Sequence, residues 1–184
     1  MSLTEALRGW EPPTVELSRR VDPWSAAAFA ALLDTAPPDG PLPPMWHWFT
    51  LLDHPAQSAI GADGHPAAGP FLPPIPGRKR MFAGGRLTQH APIAFGAVLE
   101  CRAAVADVVV KSGRTGEMAF VTTRYEMSVA GSPVAVEEQD IVYRSRRAPR
   151  HARWRGPTAA SRSRPARGGC ASRPTPCCSP ASAR

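Results

Sequence analysis

Residues 119–127 read AFVTTRYEM, and their alternation decides the fold. Ala119, Val121, Thr123, Tyr125 and Met127 fall on one face, and Phe120, Thr122, Arg124 and Glu126 on the other. Successive side chains of a strand point to opposite sides, so this is a half-buried antiparallel strand. Downstream, Ala130-Gly131-Ser132-Pro133 turns the chain into a second strand, VAVEEQDIVYR (134–144). Upstream, AVLECRAAVADVVV (97–110) reads as a strand that ends in the turn KSGRTGE (111–117). MFAGGRLTQH (81–90) is also strand-like, with Gly84-Gly85 marking either a bulge or a close approach to backbone or ligand.

The N-terminal part differs. TVELSRRV (14–21) predicts a short strand, and Asp22 then caps a helix whose first residue is Pro23, where the missing N–H costs nothing. That helix is rich in Ala, and Phe29, Leu32 and Leu33 share one face by their spacing. TAPPDGPLPP (35–44) ends it as a stiff loop. MWHWFTLL (45–52) is apolar and too short for periodicity to choose between helix and strand. Residues 53–79 form a long proline-bearing loop, and loops of that length inside compact domains are usually functional. One strand and a helix followed by four strands give an α+β fold with an antiparallel sheet on a helix.

The chain has 184 residues, a net charge of +7 and 22 Lys+Arg. Eleven of its arginines lie in residues 144–184, which hold no acid, whereas residues 1–143 carry 11 basic and 15 acidic groups. The basic character belongs to the tail, so the folded part has no nucleic-acid footprint. No run of apolar residues is long enough to span a membrane, and the opening MSLTEALRGWEPPTVE, without a basic start and apolar stretch, predicts no secretory signal. Cys101 stands alone in the body and reads as a small core residue, which points to a reduced, cytoplasmic compartment. Residues 145–184 have almost no aliphatic side chains and are expected to be disordered. Their Arg, Pro, Ser and Ala content, with adjacent Cys177 and Cys178, is what GC-rich DNA gives when translated out of frame.

Familiar catalytic and nucleotide motifs are missing: there is no GxxxxGK[ST], no GxGxxG and no GxSxG. His47, His54, His65 and His90 never pair at metal-ligand spacing, so no metal site is expected. His47 lies between Trp46 and Trp48, where it reads as a packed imidazole or as part of a binding surface. Arg78, Lys79 and Arg80 are three adjacent cations before a glycine-bearing strand, suited to phosphate or to plain solvation.

Five segments carry a resemblance: PLPPMWHWF (41–49), DGHPAAGPFLPPIP (63–76), RKRMFAGGRLTQHAPI (78–93), KSGRTGEMAFVTTRYE (111–126) and EEQDIVYR (137–144). In this order they resemble the N-terminal half of MaoC-like, fungal-type hydroxyacyl-thioester dehydratases. These are also called FAS1-like, and they include the mesaconyl-CoA hydratase-like proteins. The resemblance covers residues 10–144 and implies a single hot-dog domain there, followed by the tail over 145–184. It implies a hydro-lyase reaction, reversible water addition to the double bond of an acyl thioester, with no cofactor beyond the coenzyme A or acyl carrier of the substrate itself. It also implies that the catalytic His, five residues after an Asp or Asn, belongs to a second hot dog. No His of this sequence has an Asp or Asn at that distance, so no catalytic residue can be carried over. The substrate-binding candidates are Trp46, His47, Trp48, Met81, Gly84, Gly85 and Arg86, with Arg78, Lys79 and Arg80 for coenzyme A phosphates. The expected partners are an acyl thioester and either a second copy or a separate hot dog, and neither nucleic acid nor membrane.

Overall fold

The computed structural model describes residues 2–113 and 116–145. Apart from Ser145, the tail expected over 145–184 lies outside the described residues. Along the chain come α1 (Leu3–Ala6), β1 (Val15–Arg20), α2 (Pro23–Leu32), α3 (His47–Thr50), β2 (Lys79–Gln89), β3 (Val98–Gly113), β4 (Gly116–Val129) and β5 (Ser132–Arg144). The strands form one antiparallel sheet in the order β1-β3-β4-β5-β2. The sheet holds α2 against its inner face, which is the hot-dog arrangement that the resemblance implies.

The alternation in 119–127 is realised as written. Ala119, Val121, Thr123 and Met127 are buried on the inner face. Thr122 and Arg124 reach Asp140 and Glu138 of β5 on the outer face. The β4–β5 hairpin closes with Val129 opposite Ser132, so its loop is the pair Ala130 and Gly131. Both take positive φ, 48° and 77°, the backbone twist that two-residue hairpins favour and that glycine adopts at least cost. Pro133 causes no conflict, because the ladder is already irregular between Met127 and Ser128.

Gly84-Gly85 follows a bulge: the pairing of β2 with β5 slips at Ala83, between Phe82 and Gly84. The extra residue reverses which side chains face inward. Arg80 and Phe82 line the inner face before it, whereas Arg86 after it pairs with Glu138 and Asp140 outside.

The core has two apolar clusters. One joins Val21 and Ala26 to Leu99, Cys101, Met127 and Ala135, and the other joins Leu3 and Ile75 to Ala119, Val121 and Tyr143. A fully buried side chain such as Leu99 contributes about 1.5–3 kcal/mol. Leu3 belongs to α1, so the packed body begins before residue 10, and the Leu3 amide donates to Glu117 at 2.7 Å.

The helix differs from expectation in its buried face. Ala26 and Ala30 point inward, at 2% and 0% exposure, while Leu32 is 77% exposed and Leu33 50%. A helix apolar all round gives no periodic signal. Phe29 instead stacks on Phe49 at 4.0 Å and meets Trp46 edge-on at 4.9 Å. The predicted cap is present, with the Trp24 amide donating to Asp22 at 2.9 Å and Pro23 in the first turn. Asp22→Ala is expected to lower stability by about 0.5–2 kcal/mol in urea unfolding, with the slope unchanged.

Candidate functional site

The inner face of β4 and β5 is only partly covered by α2. Beyond the helix it is roofed by residues 51–78, leaving two clefts that share Leu51, Asp53, Pro66, Arg80, Tyr125 and Gln139. One, of about 420 Å³, lies over Ala103, Thr123, Ile141 and Tyr143 beneath Phe71 and Leu72. The other, of about 690 Å³, is bounded by Trp48, Leu52, His65 and Phe82, with His47 and Glu137 in its wall. A wider groove of about 710 Å³ runs past Glu16, Glu100, Arg102 and Glu126, whose polar groups already include an Arg102–Glu126 pair and a Ser128–Glu100 hydrogen bond.

Glu137 organises the site. Strand alternation puts its carboxylate on the inner face, where it is 2% exposed. The one-turn helix α3 brings His47 against it, with Nε2 2.6 Å from Oε2. Trp48 Nε1–H donates to both carboxylate oxygens at 2.9 Å, and Gln139 Nε2 donates to Oε1 at 2.9 Å. Burial by itself would push the Glu137 carboxyl up, but the donors from His47, Trp48 and Gln139 prevail and hold it below the ordinary value of 4.5. It is therefore ionised at neutral pH, and its acceptor positions are occupied. The group pins residues 45–52 to the sheet.

The neighbouring groups are neutral. Burial, helped by the charge of Glu137, pushes Tyr125 up to about 12 and Cys101 up to about 11. Burial also raises Tyr143, against the opposing influence of Arg80. Both phenols thus keep their protons, and the two hydroxyls are donors rather than bases. Cys101, a protonated thiol within the core, is no nucleophile. Among the described residues no three His, Cys, Asp or Glu side chains gather as a metal site.

The residues singled out in the sequence divide. His47 and Trp48 reach the cleft, as does Arg80. Trp46 turns instead to Phe29 and the core. Met81 is exposed at the sheet edge, Gly84 and Gly85 pair with β5 just after the bulge, and Arg86 lies on the outer face. Arg78, Lys79 and Arg80 do not converge: Arg78 donates to the Ala67 carbonyl at 2.6 Å, and Lys79 is exposed. Glu137, Tyr125 and Tyr143 were not singled out as site residues. The available signal was an acid, Glu137, at an inward position of an alternating strand.

A family model for hydroxyacyl-thioester dehydratase type 2 matches residues 45–170. The chain belongs to this family. The match runs past Arg144, where the sequence resemblance was placed to end, and takes in residues 145–170. The chain is 44% identical over 130 residues to mesaconyl-C(4)-CoA hydratase of Chloroflexus aurantiacus, a match covering 67% of this chain and 46% of that protein. It therefore spans less than half the length of that relative. In fold it is similar to a chain of the ChsH1–ChsH2 complex of Mycobacterium tuberculosis, with a TM-score of 0.54 at 18% identity over 80% of this chain and 94% of that one. A looser likeness, with a TM-score of 0.46 at 14% identity over 79% of this chain and 89% of the other, is to a hot-dog-like protein of Thermanaerovibrio acidaminovorans.

Proposed function

We propose that this chain is the thioester-binding half of an acyl-CoA hydratase/dehydratase of the mesaconyl-CoA type, acting with a second hot dog that supplies proton transfer. The observation that carries this reading is the state of the His47–Glu137 pair. It is the acid–base pair in the cleft wall, yet its carboxylate already accepts from His47, Trp48 and Gln139. What remains open to a ligand is apolar wall, the protonated hydroxyls of Tyr125 and Tyr143, and Arg80. Such a surface holds an acyl chain and can donate to a thioester oxygen.

Saturating crotonyl-CoA or mesaconyl-CoA is expected to raise the melting temperature. A ligand at 100 times its Kd stabilises by about 2.7 kcal/mol. Absence of any shift at saturating thioester removes the binding claim.

A second reading, a dimerising module without its own role in the reaction, is favoured by one feature. β2 is the last strand of the sheet, and Met81 and Phe82 there are 59% and 54% exposed. An edge of eleven residues with such side chains is a template for a partner strand. Light scattering is expected to show a dimer or capture of a separately encoded hot dog, and a pure monomer counts against pairing.

A further inference from the structure

The cleft of about 420 Å³ is bordered by two charged residues, Asp53 and Arg80, whose opposite signs leave it without net charge. Its floor is the inner face of β4 and β5, where Thr123 stands directly opposite Gln139 and one inward position from Tyr125. Thr123 is 4% exposed, yet among the described residues its hydroxyl has no hydrogen-bond partner. A hydroxyl taken out of water needs a partner, and this one lies against the cleft rather than sealed in the core.

Gln139 is already oriented. Its Nε2 donates to Glu137 Oε1 at 2.9 Å, and an ionised carboxylate can only accept, so the amide oxygen is turned away from Glu137. No described side chain donates to that oxygen. The protonated hydroxyl of Tyr125 is likewise unengaged. Two hydroxyls that can each donate or accept, beside one fixed acceptor, match a neutral ligand group that does both. An alcohol does. A carbonyl only accepts and leaves the Gln139 oxygen unsatisfied, and a carboxylate does the same while adding charge to a balanced cleft.

We propose that Thr123, Gln139 and Tyr125 form an alcohol-binding site on the cleft floor, with Thr123 as its specificity-determining residue. This half then holds the hydrated, 3-hydroxyacyl thioester in preference to the same thioester without the hydroxyl. The proposal rests on the thioester-binding reading and adds which side of the hydration this half recognises and through which residues. Partners fixed on two adjacent strands also distinguish the two hands of the alcohol carbon, so one enantiomer is preferred.

The experiment is a calorimetric titration of the full chain, as wild type, Thr123→Val and Thr123→Ser, with (R)-3-hydroxybutyryl-CoA, (S)-3-hydroxybutyryl-CoA and butyryl-CoA. Butyryl-CoA keeps the chain and the thioester and lacks only the alcohol. Wild type is expected to bind one hydroxy enantiomer about tenfold more tightly than butyryl-CoA. Thr123→Val is expected to weaken that enantiomer by roughly 3- to 10-fold, the scale of one neutral hydrogen bond, and to leave butyryl-CoA within about twofold. Thr123→Ser, which keeps the hydroxyl, should retain the wild-type preference. Without ligand, Thr123→Val is expected to melt no lower than wild type, because the hydroxyl it removes has no partner to lose. A lower melting temperature would give the hydroxyl a structural role and overturn the proposal. Wild type that binds all three ligands equally overturns it and leaves the thioester reading standing. Equal weakening of all three by Thr123→Val also overturns it and moves the hydroxyl to the thioester carbonyl. Affinities unchanged in Thr123→Val, or a preference lost in Thr123→Ser, overturn the role given to the hydroxyl. Wild type that binds none of the three overturns the thioester reading, and the proposal with it.

Discussion

His47→Ala is expected to cost the folded domain about 1.5–3 kcal/mol, the range for a hydrogen bond to a charged group. The side chains of His47 and Glu137 are 4% and 3% exposed, so water cannot replace the lost imidazole. The carboxylate stays charged under Trp48 and Gln139, with one strong donor missing. For a chain of this length that corresponds to roughly 3–12 °C in melting temperature. His47→Gln, which retains an N–H donor, should recover part of the loss. The double variant His47→Leu/Glu137→Leu should be more stable than His47→Ala, since it removes the charge along with its partner. A His47→Ala protein that melts within a degree or two of wild type would overturn this account of how residues 45–52 are held.

The same group predicts an acid limb. The folded Glu137 carboxyl lies below its ordinary value of 4.5, so its stabilisation is complete above that pH. It is lost as pH falls through the folded value. Glu138 and Asp140 are lowered in the same sense, chiefly by hydrogen bonds from Arg86, but they are only partly buried and solvent-screened. Glu137→Gln should therefore lower the melting temperature at neutral pH, and its deficit should shrink below pH 4.5.

The second large effect concerns turnover. The purified 184-residue chain is expected to show no hydration of enoyl thioesters above background. A positioned general acid–base contributes roughly 10²–10⁴-fold, and no His of this sequence stands five residues after an Asp or Asn. His47 is committed to Glu137, and His65 is exposed beside Asp63. His54 and His90 are exposed. Adding a second hot dog that carries an acid–base pair, in trans or as a fusion, should restore turnover by at least roughly 10²-fold. Turnover by the chain alone that disappears in His47→Ala or His90→Ala, with the fold intact, would place a catalytic group in this half.

Much of this fold could be read directly. Alternation in AFVTTRYEM named the inner face of β4 correctly, because period two is a local property of a strand against a core. Asp22-Pro23 announced the start of α2 for an equally local reason: the first helical amides need an acceptor, and proline has no amide to satisfy. Gly84-Gly85 flagged the bulge. The family, too, was legible, from segments that match in order.

The site was legible only in part. His47 and Trp48 stood out by composition, but their partner Glu137 lies ninety residues away in sequence. No spacing rule connects them. Only closure of the sheet brings a one-turn helix down on β5. The three cations at 78–80 look alike as a string, and a single bulge separates their fates: one is tied to a loop carbonyl, one is left in solvent, and one is turned into the cleft. The buried face of α2 was hidden for another reason, since a helix apolar on every side carries no preferred direction until it meets a sheet. By itself, then, the sequence determined the strands, the cap, the hairpins and the family, all set by local backbone chemistry. The tertiary structure decided which polar groups are desolvated and paired, because burial and electrostatics depend on distance in space rather than along the chain.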